Sequence, residues 1–220
     1  MKSIVLIVIV AIIGITLFYV NNQPKEAQLP IYNPVDINPE VVDTSLQRVG
    51  IGHAIGDFSF TNQNGQTITR KDVDGKVYVV EYFLTTCGSI CPIMNKQMQR
   101  VQKKYAQHDD FKILSFTVDP KNDTVAQLKR YAAQHHANDK QWWFLTGDKE
   151  QLYALARKSF FVLKPAEAEN VGDAGSDFIH TNNFVLIDKK QRIRGYYDGT
   201  NPQSVDSLIT DIEKLFDSNN

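Results

Sequence analysis

Apolar runs and alternating positions along the chain predict several β-strands. In "DFSFTNQNGQTIT", apolar and polar positions alternate on both sides of Asn64-Gly65, a dipeptide that favours the tight turn of a β-hairpin. Runs of β-branched and aromatic residues without a helical period are typical of buried strands. Such runs are "KVYVVEYFL" (residues 76–84), "FKILSFTVD", "WWFLTG", "NFVLID" and "IRGYYDG", and the last two predict a second hairpin, joined by residues 188–192.

Helical spacing begins directly after the first of these runs. Pro92 suits the first turn of a helix, where a backbone N–H has no partner within the helix. Met94, Met98, Val101 and Tyr105 follow at spacings of four, three and four, which places them on one helical face. This spacing predicts a helix packed on the core, and it favours a packing role for both methionines over a role as metal ligands.

Three further helices are predicted downstream. Thr124 and Gln127 make a capping box for a helix over residues 125–136, and a second helix covers residues 149–160. Asn201-Pro202 caps a final helix, whose apolar face is Val205, Leu208, Ile209, Ile212 and Leu215. The alternation of strands and helices predicts an α/β fold, and the closing hairpin makes its central sheet mixed. A strand that leads through cysteines into a helix is the thioredoxin arrangement. We therefore expect a thioredoxin-like three-layer fold with an added N-terminal hairpin.

An apolar run precedes this domain. Residues 3–20 are uncharged and mostly apolar, and as a helix they would span roughly 27 Å, close to the ~30 Å hydrocarbon core of a bilayer. The run lacks the small-x-small cleavage site of a signal peptide, so it predicts one uncleaved transmembrane helix. Lys2 on the short side favours an extracytoplasmic domain, on the periplasmic side of the inner membrane in a bacterium. Residues 21–50, with four prolines, predict a tether, and residues 51–220 the folded domain.

The charge balance excludes one class of partner. The 220 residues carry 24 basic and 25 acidic side chains, a formal net charge of −1. The chain therefore offers no electrostatic basis for nucleic-acid binding.

Both cysteines of the chain, Cys87 and Cys91, lie in "TTCGSICPIM" between a predicted strand and a predicted helix. They could form a structural disulfide, a redox pair or a metal clamp. A structural disulfide across so short a loop would constrain little of the unfolded chain. If Cys91 is the N-cap of the helix, both sulfurs face a helix N-terminus, which favours the thiolate. The thiolate is both the nucleophile and the metal ligand.

A metal clamp needs a third ligand, and Cu(I) accepts soft sulfur together with imidazole. Of the five histidines, His53, His108, His135 and His136 are predicted to be surface residues. His180 differs from them because it stands three residues before a predicted core strand, after an acidic loop that contains glycines. Sites in α/β proteins are built at such strand ends. His180 is therefore the candidate third ligand.

The segment "YFLTTCGSICPIM" resembles the SCO/SenC family of copper-binding cytochrome c oxidase assembly factors. The family pattern is F-x-x-T-x-C-x-x-x-C-P with a distal histidine. Phe83, Thr86, Cys87, Cys91 and Pro92 match it, with Thr86 one place later than a strict match requires. The segments "DFSFTNQNG", "TVDPKNDT" and "FIHTNNFVLID" resemble the family's opening hairpin, its D-P-x-x-D-T segment and its histidine loop.

The resemblance implies a membrane-anchored copper chaperone, in which thiol-disulfide oxidoreductase activity can coexist. Cys87, Cys91 and His180 would hold one copper ion, Cu(I) or Cu(II), for delivery to the binuclear copper centre of cytochrome c oxidase subunit II. Other copper chaperones and, through residues 3–20, the lipid bilayer would be further partners. Many members carry Asp where Ser89 and Ile179 stand here, so metal affinity and thiol pKa are open to change.

A thiol-disulfide oxidoreductase is the alternative function. It would use Cys87 and Cys91 as a redox pair, to reduce the copper-site cysteines of the oxidase or to serve in redox signalling. Thioredoxin-type enzymes carry C-x-x-C and a proline just before a core strand. Here the spacing is C-x-x-x-C, and the nearest proline upstream of His180 is Pro165. These differences favour the metal site.

Overall fold

The computed structural model describes residues 12–16, 18, 28–162 and 181–217. The strands in this part of the chain are β1 (Ser59–Asn62), β2 (Thr67–Thr69), β3 (Val77–Phe83), β4 (Phe111–Thr117), β5 (Trp142–Thr146), β6 (Asn183–Ile187) and β7 (Ile193–Asp198). The helices of the domain are α1 (Cys91–Lys104), α2 (Val125–Gln134), α3 (Lys149–Leu155) and α4 (Pro202–Asp217), and a π-helical turn, Ala156–Phe160, continues α3. The predicted order of strands and helices is confirmed.

The strands form one mixed sheet in the order β2-β1-β5-β4-β3-β6-β7. Strands β3, β4 and β5 are parallel, whereas both hairpins pair antiparallel with their neighbours. Strand β6 runs antiparallel to β3, with Val185 opposite Val80 and Ile187 opposite Tyr78. Because of this direction, β6 begins at the edge of the sheet where β3 ends. The chain that enters β6 therefore lies near the cysteine turn that follows β3.

Both faces of the sheet are covered, which is why β3 and β4 are buried at every position. Side chains alternate between two clusters, so that Val77 and Val79 face one layer while Tyr78 and Val80 face the other. Helices α1, α2 and α4 pack on the first face, and α3 with its π-helical turn packs on the second. This arrangement confirms the predicted three-layer thioredoxin-like fold.

Helix α1 has the predicted apolar face. Met94, Met98, Val101 and Tyr105 are all buried, so the predicted packing role of the two methionines is confirmed. The predicted apolar faces of α1 and α4 pack together in the same hydrophobic cluster on one face of the sheet. Helix α1 therefore has a fixed position, and with it the cysteine at its first residue.

The capping box predicted for α2 is half right. The hydroxyl of Thr124 accepts a hydrogen bond from the backbone N–H of Gln127 at 3.4 Å, as an N-cap does. The side chain of Gln127 does not return to Thr124, however. Its amide donates to the hydroxyl of Thr85 at 3.1 Å, in the cysteine turn. Thr85 lies 42 residues before Gln127 in the sequence. A local capping motif contains no information about so distant a partner.

Part of the segment predicted as a tether lies against the domain. Tyr32 forms an isolated β-bridge to Ile193, on the outer side of β7. The buried guanidinium of Arg194 donates to the carbonyl oxygens of Leu29 and Pro30 at 2.6 and 2.9 Å, and to the carboxylate of Asp188 at 2.9 Å. We call this set of contacts the Arg194 latch. It fixes the chain around residue 30 to the edge of the sheet.

Most of the predicted transmembrane run 3–20 falls outside the described residues. Residues 12–16 and 18 are helical. In the described ranges, no helix combines the length and the apolar character that a membrane span requires.

Candidate metal centre

The cysteine turn connects the end of β3 to the start of α1. The N–H of Cys87 donates to the carbonyl of Leu84 at 3.3 Å, which closes the first half of the turn. The predicted N-cap position of Cys91 is wrong, because the N-cap is Ile90 and the helix begins at Cys91. Ile90 already has helical dihedral angles, φ −84° and ψ −34°, and its carbonyl accepts from the N–H of Met94 at 3.0 Å. Cys91 is therefore held inside the first helical turn.

The two thiols differ in exposure. Cys91 is 4% exposed and belongs to the cluster under α1, whereas Cys87 is half-buried at its margin. Both are free thiols. A reagent or a partner protein therefore meets the Cys87 sulfur first.

The thiols differ equally in acidity. Burial raises the pKa of Cys87, but hydrogen bonds from Cys91 and Ser89 outweigh this effect and lower the pKa to about 7. Burial raises the pKa of Cys91 to about 12, and its hydrogen bond to Cys87 and the nearby Glu81 add to the rise. At neutral pH, Cys87 is therefore partly thiolate and Cys91 is the thiol that donates to it. The expectation that both sulfurs favour the thiolate holds only for Cys87, because Cys91 lies in an apolar cluster.

Ser89 contacts the reactive sulfur. Its hydroxyl oxygen lies 3.6 Å from the sulfur of Cys87, and this contact contributes to the low pKa of that thiol. A carboxylate at this position would bring a negative charge to the thiolate, which would raise the thiol pKa. The serine therefore favours the ionised form.

A buried carboxyl group lies in the strand below the turn. Glu81 is 1% exposed, and it accepts a hydrogen bond from the hydroxyl of Ser115 at 2.6 Å. That hydroxyl accepts in turn from the indole N–H of Trp142 at 2.7 Å. Burial raises the pKa of Glu81 to about 7, although the bond from Ser115 opposes this. Glu81 was not among the predicted site residues; its signal in the sequence is a single acid within the apolar run of residues 76–84.

A second buried carboxyl group reaches the turn from the loop after β4. Asp123 is fully buried, and the hydroxyl of Thr85 donates to its Oδ1 at 2.5 Å. The hydroxyl of Thr117, at the end of β4, donates to its Oδ2. The sequence resemblance included the D-P-x-x-D-T segment but assigned no contact to it. Nothing in the local pattern indicates a partner 38 residues away.

His180, the predicted third ligand, lies outside the described residues, as does Ile179. In the part of the chain that the structure describes, no group of three or more His, Cys, Asp or Glu side chains has an arrangement that could hold a metal ion. Of the predicted set, the structure thus brings together Cys87 and Cys91.

Two of the other four histidines are more buried than predicted. His108 and His136 are exposed, in agreement with the prediction. His53 and His135 are half-buried: the ring of His53 packs on Phe161, and that of His135 packs on Tyr131. The prediction used neighbouring sequence alone, and both aromatic contacts depend on the fold.

The family is settled by sequence comparison. A family model described as SCO1/SenC matches residues 49–217, more than half of the chain. The chain belongs to the SCO1/SenC family. The resemblance inferred from the cysteine turn is thereby confirmed.

Three relatives illustrate the range of this SCO1/SenC protein's similarities. A protein of Bacillus subtilis named SCO1 protein homolog is 32% identical over 166 residues, which are 74% of this chain and 83% of that protein. A protein of Stutzerimonas stutzeri named putative copper-binding protein is 27% identical over 167 residues, 75% of this chain and 78% of that protein. The structure of BsSco, described as a member of the Sco family of cytochrome c oxidase assembly proteins with a disulfide switch, is 29% identical. It superposes with a TM-score of 0.63 over 76% of this chain and 96% of that one.

Proposed function

We propose that this SCO1/SenC protein binds one copper ion as cargo and delivers it during the assembly of cytochrome c oxidase. The observation that carries the proposal is the pair of adjacent, inequivalent sulfurs at the start of α1, one reactive and half-exposed, the other buried. Soft thiolates prefer Cu(I). Support comes from the names of two relatives, one a putative copper-binding protein and the other a member of a family of oxidase assembly proteins.

The proposed ligands are Cys87, Cys91 and His180. The position of β6 supports the histidine, because β6 begins beside the end of β3 and His180 precedes β6 by three residues. Copper binding would displace the proton that Cys91 shares with Cys87, so affinity should rise with pH. The exposure of Cys87 gives an incoming ligand access to the metal. Cargo would then leave by ligand exchange.

The proposed recipient is the binuclear copper centre of cytochrome c oxidase subunit II, and other copper chaperones are proposed as donors. Residues 3–20 would anchor the chain in the bilayer with the domain on the extracytoplasmic side. An anchor would confine donor, carrier and recipient to one membrane surface, which raises their effective concentration.

The proposal is tested by titrating the full-length chain with Cu(I) under anaerobic conditions against a competing chelator. The wild type should bind one copper per chain, and Cys87→Ser or Cys91→Ser should abolish binding. His180→Ala should weaken binding by about 10–100-fold or more, taking as a floor the factor typical of residues that support a ligand. His136→Ala, an exposed histidine, is the matched control and should leave affinity unchanged. Full copper stoichiometry in either cysteine variant would refute the site.

A second function, thiol-disulfide exchange, is favoured by the difference between the two thiols. A pKa of about 7 for Cys87 and about 12 for Cys91 suits an attacking thiolate beside a buried partner thiol. The disulfide switch described for BsSco supports the same reading. His180→Ala separates the two functions, because an exchanger needs no imidazole ligand. Unchanged copper affinity together with a shifted dithiol–disulfide equilibrium would favour the oxidoreductase.

A further inference from the structure

The cysteine turn is tied to the neighbouring strand by one buried carboxylate. Asp123 accepts from the hydroxyl of Thr85 at 2.5 Å and from the N–H of Thr85 at 3.3 Å. It also accepts from the hydroxyl of Thr117, the last residue of β4. The carboxylate therefore bridges two chain segments that leave neighbouring parallel strands, β3 and β4.

The donors to Asp123 are themselves held in place. The hydroxyl of Thr117 accepts from the N–H of Asp119 at 2.9 Å, and the N–H of Asp123 donates to the carbonyl of Asp119 at 2.9 Å. The hydroxyl of Thr85 accepts from the side-chain amide of Gln127 in α2 at 3.1 Å. Each hydroxyl thus both donates and accepts, so neither can rotate freely. A buried charge requires such satisfied partners.

Thr85 is the point at which this network acts on the sulfurs. It stands two residues before Cys87, and Leu84, its neighbour, accepts the N–H of Cys87. Cys91 is fixed separately by helix α1. The position of the Cys87 sulfur relative to the Cys91 sulfur therefore depends on how the backbone is held at residue 85. Within the described residues, Gly88 and Ser89, which follow Cys87, are exposed.

We propose that Asp123 is a positioning residue for the cysteine pair: through Thr85 it fixes the position of Cys87 relative to Cys91, which helix α1 holds in place. The proposal rests on the proposed role of the cysteine turn and adds a residue that does not itself touch the metal. A pair of sulfurs held in position requires less ordering when it binds Cu(I) or closes a disulfide. Copper binding and disulfide formation therefore both depend on the contact between Asp123 and Thr85.

The experiment compares three variants of the full-length chain with the wild type. Asp123→Asn replaces the accepting carboxylate by a neutral amide. Thr85→Val removes the hydroxyl that donates to Asp123 but leaves the hydrogen bond between Thr117 and Asp123. Thr85→Ser keeps the hydroxyl and serves as the conservative rescue. The matched control is Asp72→Asn, which alters a chemically similar contact, since Asp72 accepts from the N–H and the hydroxyl of Thr69 at 2.7 Å each.

Two readouts are measured that a purely structural role would not move. One is the Cu(I) dissociation constant in competition with a chelator. The other is the equilibrium with dithiothreitol, in which closing the disulfide passes two electrons and two protons to oxidised dithiothreitol. Asp123→Asn and Thr85→Val should each weaken Cu(I) binding by about 10-fold or more. They should also lower the disulfide equilibrium constant by about 10-fold, or about 30 mV.

The serine rescue and the Asp72→Asn control should stay within about twofold of the wild type. Wild-type values for both Asp123→Asn and Thr85→Val would overturn the proposal, as would an equal shift in the control. If circular dichroism shows that Asp123→Asn does not fold, Thr85→Val against Thr85→Ser decides alone. If the wild type binds no copper, the proposed function fails, and the dithiothreitol equilibrium still tests the positioning role of Asp123.

Discussion

Replacing Glu81 by glutamine should change how the stability of the protein depends on pH. The carboxyl group is buried in β3 and meets one hydroxyl donor, that of Ser115. Glutamine has nearly the same shape, and its carbonyl oxygen can accept the same bond. It cannot ionise, however. The variant therefore isolates the effect of charging this one group inside the core.

The size of the effect follows from the pKa of Glu81. It rises from an ordinary value of 4.5 to about 7, and one unit corresponds to about 1.4 kcal/mol, so ionisation opposes folding by about 3 kcal/mol. The folded protein binds this proton more tightly than the unfolded chain does. The favourable contribution is therefore complete below pH 4.5 and is lost as pH rises through 7. The free energy of unfolding of Glu81→Gln, measured relative to that of the wild type, should therefore increase by about 3 kcal/mol as pH rises from about 4 to about 8.5.

Urea unfolding at a series of pH values, with the cysteines kept reduced, measures the difference between the two proteins. Only this difference is used, because the other titrating groups are shared. Glu150→Gln, which removes an exposed carboxylate from α3, is the matched control. If the stability curves of the wild type and Glu81→Gln run parallel across this range, the assigned pKa and its cause in burial are both wrong.

Three further outcomes are expected. Ser89→Ala should raise the pKa of Cys87 above about 7 by about half a unit, read from the pH dependence of Cys87 alkylation; an unchanged midpoint would contradict the role given to the hydroxyl. Arg194→Leu should reduce the free energy of unfolding by about 3 kcal/mol in urea titrations, because it leaves the buried Asp188 with one basic partner fewer; a loss near zero would show that the latch is energetically neutral. An anchor at residues 3–20 should keep the chain in the membrane fraction after a carbonate wash, and release of a species trimmed near residue 20 would indicate a cleaved signal.

The sequence predicts what local patterns determine. The strand before the cysteines, the apolar face of α1 with Met94 and Met98, and the order of the sheet-forming runs all follow from periodicity and turn residues, and the structure confirms them. The cysteine pair could be found in the same way because the two residues are close in sequence. The part of the site that the structure confirms, the pair Cys87 and Cys91, thus lies within one short segment of the sequence.

The parts that sequence patterns did not predict depend on contacts between distant segments. Asp123 acts on the turn only because β4 lies beside β3 in parallel, which brings the ends of both strands to one edge. Gln127 leaves its expected capping partner for the same reason. The unequal acidity of Cys87 and Cys91 likewise follows from the cluster under α1, which buries one sulfur and not the other.

The Arg194 latch has a consequence for how the chain is made. Its hydrogen bonds to Pro30 and Leu29 join residues separated by 164 and 165 positions, so a chain emerging from its N-terminus cannot close them until β7 has been synthesised. Contacts of such long range form slowly during folding. Until they form, the outer edge of β7 is a strand with unpaired backbone groups, which another molecule can extend by β-pairing. The residues around Tyr32 are therefore expected to suppress aggregation of newly made protein as well as to stabilise the finished domain.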